Sequence, residues 1–155
     1  MDTRRLSETV SALQGEDAFR APLFPADWAR LAAYLQRREF DAGTLLMRRG
    51  DEADTAYWIE AGLLQVFIVG GPPGSHRIAR LPAGALVGEP ALFGRGPRMA
   101  HVEALTPVVA WALQRSRLDA LQADDPALAL AVLRGAGAVM AARMRANLDH
   151  GIPLC

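Results

Sequence analysis

The stretch LPAGALVGEPALFGRGPRMAHVEA, Leu81–Ala104, decides how this chain folds and what it binds. Gly84 is expected to turn the backbone, after which Gly88 and Glu89 begin a short turn of helix. Pro90 is tolerated at the first helical position because no amide donor is needed there. The segment therefore predicts a strand followed by a short helical turn.

The second part of the stretch returns the chain to a strand. Gly94, Gly96 and Pro97 provide the turn, and a strand is predicted to begin near Arg98. Side chains alternate between the two faces of a strand. The residues expected to face inward are Ala100, Val102 and Ala104.

This cassette has the chemistry of an anion site. First-turn amides of a helix carry partial positive charge, and the Arg98 guanidinium can bind phosphate oxygens in a bidentate way. The carboxylate of Glu89 would repel an anion, unless it accepts hydrogen bonds from neighbouring sugar hydroxyls. A phosphate beside a sugar hydroxyl is the pattern of a nucleotide.

The length and composition of the whole sequence predict one domain over residues 1–155. Residues 1–36 have helical spacing, and residues 115–150 return to helix. Between them, residues 37–114 contain short runs rich in β-branched and aromatic residues, separated by glycines. The expected fold is mainly β with flanking α: an antiparallel β-roll, jelly-roll and cupin-like, with N-terminal helices and a long C-terminal helix.

Strand alternation and turn composition give finer expectations within the roll. Tyr57 and Ile59 are predicted to share one face of a strand, with Trp58 on the other. Leu63–Val69 and His76–Leu81 are predicted to form a hairpin, because the GGPPGS run between them is a turn by composition.

The C-terminal helix is predicted to begin at Asp125, as its cap, and Pro126. It carries two stripes. One consists of Leu128, Val132, Gly135 and Val139. The other consists of Leu133, Gly137, Met140, Met144 and Leu148. Either both stripes belong to the core of one chain, or one packs on the roll and the other on a second copy, giving a homodimer.

Composition excludes several classes of function. The formal net charge is zero, with 17 basic residues, all of them Arg, so a nucleic-acid-coating surface is not expected. Three scattered histidines and a single cysteine, Cys155, do not suggest a metal site or a disulfide. No signal peptide or membrane-spanning run is recognised, which predicts a cytoplasmic protein without membrane insertion.

The quoted segment, over residues 84–104, resembles the phosphate-binding cassette of the cyclic nucleotide-binding domain family. That family's pattern is Gly-Glu-x-Ala-Leu, a short loop, and then Pro-Arg-x-Ala-x-Val. Here the pattern reads Gly88-Glu89-Pro90-Ala91-Leu92 and Pro97-Arg98-Met99-Ala100-His101-Val102. The resemblance covers roughly residues 20–148.

The resemblance implies a role for each matched residue. Arg98 would pair with the cyclic phosphate, and Glu89 would accept a hydrogen bond from the ribose 2′-hydroxyl. Backbone amides around Ala91 and Met99 or Ala100 would complete the phosphate cradle. The ligand-binding set is Gly88, Glu89, Pro90, Ala91, Arg98, Met99 and Ala100. Met99 departs from the family, which has a small or hydroxyl residue there, and a Thr can favour guanine; cAMP is therefore expected over cGMP.

The leading expectation is a sensor whose C-terminal helix moves when a cyclic nucleotide binds and signals to an effector protein. It is not expected to be an enzyme or to need a cofactor besides its ligand. The alternatives are a nucleotide-independent dimerisation or docking scaffold, a regulatory domain cut from a larger transporter or channel, and a metal enzyme on a cupin-like roll. A cyclic dinucleotide is a variant ligand.

Overall fold

The computed structural model describes residues 2–68 and 77–150, and the predicted antiparallel β-roll is confirmed there. Two four-stranded sheets have the orders β1-β8-β3-β6 and β2-β7-β4-β5, with antiparallel pairing throughout. The strands are β1 Gln36–Phe40, β2 Leu45–Met47, β3 Thr55–Ala61, β4 Leu63–Phe67, β5 Arg77–Pro82, β6 Leu86–Val87, β7 His101–Ala104 and β8 Val108–Gln114.

Helices flank the roll at both ends of the chain, as predicted. Within the described ranges they are α1 Arg4–Ala12, α2 Pro25–Leu31, α3 Arg115–Asp124 and α4 Pro126–His150. The predicted start of α4 is confirmed, because Asp125 Oδ1 accepts the backbone N–H of Leu128 at 3.2 Å.

The sheet formed by β1, β8, β3 and β6 has an apolar core on each of its faces. Trp58 on β3 and Trp111 on β8 pack against the helices in what we call the helix–sheet core. Tyr57 and Ile59 point to the opposite face, into the roll core between the two sheets. The alternation predicted for this strand is therefore confirmed.

The helix–sheet core is aromatic where the N-terminal segment enters it. The ring of Phe19 lies 5.3 Å from that of Trp58, and Trp28 lies 5.5 Å from Trp58, both in edge-to-face geometry. A Cβ at Gly135 would lie 2.5 Å from Cε1 of Phe19. Gly135 therefore allows the Phe19 segment to pack directly against α4.

One of the two stripes on α4 packs into the helix–sheet core: Leu128, Val132 and Val139 are fully or almost fully buried. On the other stripe, Met144 and Leu148 are exposed. By length and composition, Pro126–Leu148 could also cross a membrane, with a hydropathy of 1.5. A core helix gives the same pattern, so this feature does not by itself indicate a membrane span.

Two details of the β-region qualify the sequence analysis. The strand predicted to begin near Arg98 begins at His101, because Arg98 bonds through its backbone to the loop before β3. The predicted hairpin strands do pair, with Leu64 opposite Leu81. The GGPPGS turn between them lies outside the described residues.

Candidate functional site

The cassette has two parts, of which the first, Gly88–Leu92, is called the upstream half. Its Glu89–Leu92 segment forms a 3₁₀ turn, closed by a hydrogen bond of 3.2 Å from the Ala91 amide to the Gly88 carbonyl. Gly88 has φ +76°, in the left-handed region that favours glycine. The turn lies against α4 and is buried at Glu89, Ala91 and Leu92.

The downstream half, Gly94–Ala100, lies mostly at the surface and is held by backbone hydrogen bonds. Arg98 donates its N–H to the carbonyl of Asp51 at 2.7 Å, and its carbonyl accepts the N–H of Gly50 at 2.9 Å. A third bond runs from the Ala53 N–H to the Gly96 carbonyl at 2.9 Å. The loop between β2 and β3 therefore determines where the Arg98 side chain starts.

The Arg98 side chain reaches back across the cassette to the upstream half. Its Nη2 donates to the carbonyl of Thr55 at 2.6 Å, and Nη1 lies 3.5 Å from the Gly88 carbonyl. A Cβ on Gly88 would lie 2.8 Å from Nη1 of Arg98 and 2.5 Å from Cε of Met47. The missing side chain at Gly88 is what allows the guanidinium to lie at the start of the turn.

A cavity of about 20 Å³ lies between the two halves. Five predicted ligand residues line it: Pro90, Ala91, Arg98, Met99 and Ala100. This volume holds about one water molecule, so a larger group enters only if lining side chains such as Met99 move outward. Met99 is 47% exposed, and such a movement disturbs no core packing.

Glu89, the predicted ribose ligand, is not exposed to solvent at all. Its Oε2 accepts a hydrogen bond from Nη1 of Arg143 on α4 at 2.8 Å. Its Oε1 has no hydrogen-bond partner within residues 2–68 and 77–150. Burial raises the pKa of the Glu89 carboxyl above its ordinary value, while the nearby charge of Arg143 acts to lower it.

Arg143 also joins the site to the N-terminal segment. Its Nε donates to Oδ2 of Asp17 at 3.1 Å, and Asp17 is 42% exposed along its side chain. The Arg143 side chain itself is only 9% exposed. The last third of α4, the loop after α1 and the cassette therefore meet at one guanidinium.

Arg115, the first residue of α3, contacts both halves of the cassette. Its Nη1 lies 2.9 Å from the Ala91 carbonyl, 3.1 Å from that of Gly94 and 3.1 Å from that of Ala53. The arginine thereby ties the roll, the cassette and the start of the C-terminal helices together.

The structure thus gathers most of the predicted ligand set around one small cavity, with Gly88 behind Arg98 and Glu89 beneath α4. Sequence reasoning missed Arg143 and Arg115. A signal for Arg143 was available: it follows Val132 and Val139 along the buried stripe of α4, where a lone cation indicates a buried ion pair. Arg115 left no signal, because it binds backbone carbonyls.

Within the two described ranges, no group of three or more His, Cys, Asp or Glu side chains lies close enough to hold an ion.

Comparison with known proteins identifies the class. The family model for the cyclic nucleotide-binding domain matches residues 37–125, which are more than half of the chain. The match includes both halves of the cassette and the strands β1 to β8, apart from Gln36 at the start of β1. The chain belongs to the cyclic nucleotide-binding domain family.

Relatives place this domain in proteins with different outputs. The chain is 35% identical to a cAMP-dependent protein kinase regulatory subunit of Candida albicans over 83 residues, 54% of this chain and 17% of the relative. It is 34% identical to the acetyltransferase Pat of Mycolicibacterium smegmatis over 99 residues, 63% of this chain and 29% of that enzyme. The chain spans less than a third of either relative.

A solved cyclic nucleotide-binding domain from Methylobacillus flagellatus has the same architecture. It superposes with a TM-score of 0.78 and 25% identity, covering 94% of this chain and 80% of that one.

Proposed function

We propose that the chain senses cAMP. Arg98 binds the cyclic phosphate, and Glu89 accepts a hydrogen bond from the ribose 2′-hydroxyl. A movement of α4 then transmits the signal. Membership of the family supports binding of a cyclic nucleotide in general. The preference for cAMP over cGMP rests on Met99, which cannot donate a hydrogen bond to guanine.

The observation that carries this proposal is the Oε1 atom of Glu89. A fully buried carboxylate oxygen with no hydrogen-bond partner in the described structure costs free energy unless something pairs with it. A sugar hydroxyl supplies the missing donor. The Arg98 guanidinium beside the same turn supplies the charge for a phosphate, so two features of one nucleotide are matched across the cassette.

The route to an output runs through the contact between the turn and α4. The upstream half packs beneath this helix, and Glu89 pairs with Arg143 on it. A ligand that engages Glu89 changes the free energy of docking α4, and by linkage the position of α4 changes ligand affinity. The signal then passes to an effector protein. We place this regulatory unit in the cytoplasm and assign it no catalysis.

The test is calorimetric titration of the purified chain with cAMP and then cGMP, comparing Arg98→Ala with Arg95→Ala. Arg95 lies in the same loop and is exposed, so its variant changes the net charge equally. Loss of a charged hydrogen bond to phosphate is worth about 1.5–3 kcal/mol, which is at least tenfold in affinity. We expect that loss for Arg98→Ala and a change below about twofold for Arg95→Ala.

A second candidate function is favoured by the small cavity. About 20 Å³ between the halves cannot hold a cyclic phosphate without movement, and the exposed Met144 and Leu148 offer α4 an apolar surface for a second copy. A nucleotide-independent dimerisation scaffold would show no heat with either nucleotide at millimolar concentration. It would sediment as a dimer in the absence of any nucleotide.

A further inference from the structure

Glu89 and Arg143 form an ion pair that the proposed function does not by itself require. The two residues are 54 positions apart in the sequence, and their side chains are 0% and 9% exposed. Removing two charges from water is costly, and such a pair is stable only if its geometry and hydrogen bonds are good. The pair therefore constrains where α4 lies over the cassette.

The pair uses only one oxygen of the Glu89 carboxylate. Nη1 of Arg143 binds Oε2, and Oε1 is left without a partner in the part of the chain that the structure describes. A carboxylate held at one oxygen cannot rotate freely, so the direction of the other oxygen is also set. The guanidinium is held in turn by Asp17 through Nε.

The charge of Arg143 opposes the effect of burial on the Glu89 carboxyl. Burial favours the protonated carboxyl, which is a donor at one of its oxygens, whereas a neighbouring cation favours the ionised form. Arg143 therefore favours the ionised carboxylate, which forms a stronger hydrogen bond with a hydroxyl than a neutral carboxyl does.

We infer that Arg143 is the positioning residue of the ribose site: it holds Oε2 of Glu89 so that Oε1 accepts a hydrogen bond from the 2′-hydroxyl of the nucleotide. This inference rests on the proposed function. It makes the last third of α4 part of the recognition of ribose, although Arg143 itself does not touch the sugar. Discrimination between a ribose and a 2′-deoxyribose then depends on α4 being docked.

The opposite assignment makes Arg143 a competitor that the ribose must displace. The two assignments predict opposite changes in ribonucleotide affinity when Arg143 is removed. A positioning residue, when removed, weakens the binding of a ribonucleotide and lowers its advantage over the deoxy analogue. A competitor, when removed, strengthens the binding of the ribonucleotide.

The experiment measures the affinities of cAMP and of 2′-deoxy-cAMP for the same protein, so that their ratio isolates the hydroxyl. Wild type is expected to prefer cAMP by about tenfold or more, the value of a hydrogen bond to a charged group. Arg143→Met is expected to reduce this ratio below about threefold while binding 2′-deoxy-cAMP nearly as wild type does. The neighbouring exposed Arg145→Met is the matched control, with an unchanged ratio.

Arg143→Lys keeps the charge and covers the case in which the Met variant does not fold. A lysine ammonium cannot bind Glu89 and Asp17 with the fork of a guanidinium, so we expect a ratio between those of wild type and Arg143→Met. Glu89→Gln adds a coupling test, because combining it with Arg143→Met should lower the ratio no further than Glu89→Gln alone.

The outcomes separate this inference from the proposed function. If wild type binds neither nucleotide, the proposed function fails and this inference fails with it. If wild type binds both and Arg143→Met or Arg143→Lys keeps the wild-type ratio, only the inference is overturned, and the ion pair is structural. If either variant binds cAMP more tightly than wild type does, the inference is overturned and Arg143 is assigned as a competitor of the ribose.

Discussion

The two halves of the cassette differ in what holds them. The upstream half is buried beneath α4, and its carboxylate is paired with a side chain of that helix. The downstream half is largely exposed and is tied through its backbone to the loop between β2 and β3. The upstream half therefore depends on how α4 docks, whereas the downstream half is held mainly by the roll, with one contact from Arg115 of α3.

This difference matters for the proposed function. A ligand that binds Arg98 and Glu89 together, as proposed, would connect a group positioned by the roll with a group positioned by α4. The free energy of binding then depends on the position of α4 relative to the roll. Substitutions matched between the two halves test this contrast.

The largest effect is expected from adding one methyl group to each half. In the upstream half, Gly88→Ala forces a non-glycine residue to φ +76° and places Cβ 2.5 Å from Met47 Cε. The backbone strain and the overlap together should cost about 3 kcal/mol. In the downstream half, Gly96→Ala meets no atom within 4 Å and should change stability by less than about 0.5 kcal/mol.

Thermal unfolding monitored by circular dichroism measures both variants. For a chain of this size, about 3 kcal/mol corresponds to a fall in Tm of roughly 6–12 °C. Equal Tm values for the two variants would contradict the claim that the upstream half is the tightly packed one.

A smaller effect is expected from Arg115→Met, which removes the side chain that contacts both halves. The carbonyls of Ala91, Gly94 and Ala53 lose a shared charged donor, at a cost of about 2 kcal/mol. Arg95→Met, at an exposed arginine beside it, should cost less than about 0.5 kcal/mol. Urea unfolding measures both values, and a loss for Arg95→Met as large as that for Arg115→Met would refute the bridging role.

The smallest change in stability is expected at the exposed end of the downstream half. Met99→Thr should alter the free energy of unfolding by less than about 0.5 kcal/mol, because Met99 is 47% exposed. It should still raise the affinity for cGMP relative to cAMP by about three- to tenfold, the value of one added hydrogen bond. Competition titration measures that ratio, and an unchanged ratio means that position 99 does not read the base.

The sequence predicted what short-range rules control. Alternation assigned Tyr57 and Trp58 to opposite faces, because strand period is a local property. The short helical turn that Gly88 begins and the cap at Asp125 also followed from local backbone chemistry. The start of β7 was wrong because Arg98 bonds to a loop some 50 residues earlier in the chain.

The features of the site that the sequence did not predict all depend on long-range packing. The pairing of Glu89 with Arg143 requires knowing where a 25-residue helix crosses the roll. The contact between Phe19 and Gly135 depends on the same crossing. A single sequence indicates which faces of α4 are apolar, but the crossing decides which of its residues lies over the cassette.

The aromatic packing of the helix–sheet core provides the chain with an internal optical reporter. All three of its tryptophans, Trp28, Trp58 and Trp111, lie in that core, each at most 3% exposed, and none lies in the roll core. Their emission is therefore sensitive to how the helices pack on the sheet. The docking of α4 can be followed in real time with the unlabelled protein.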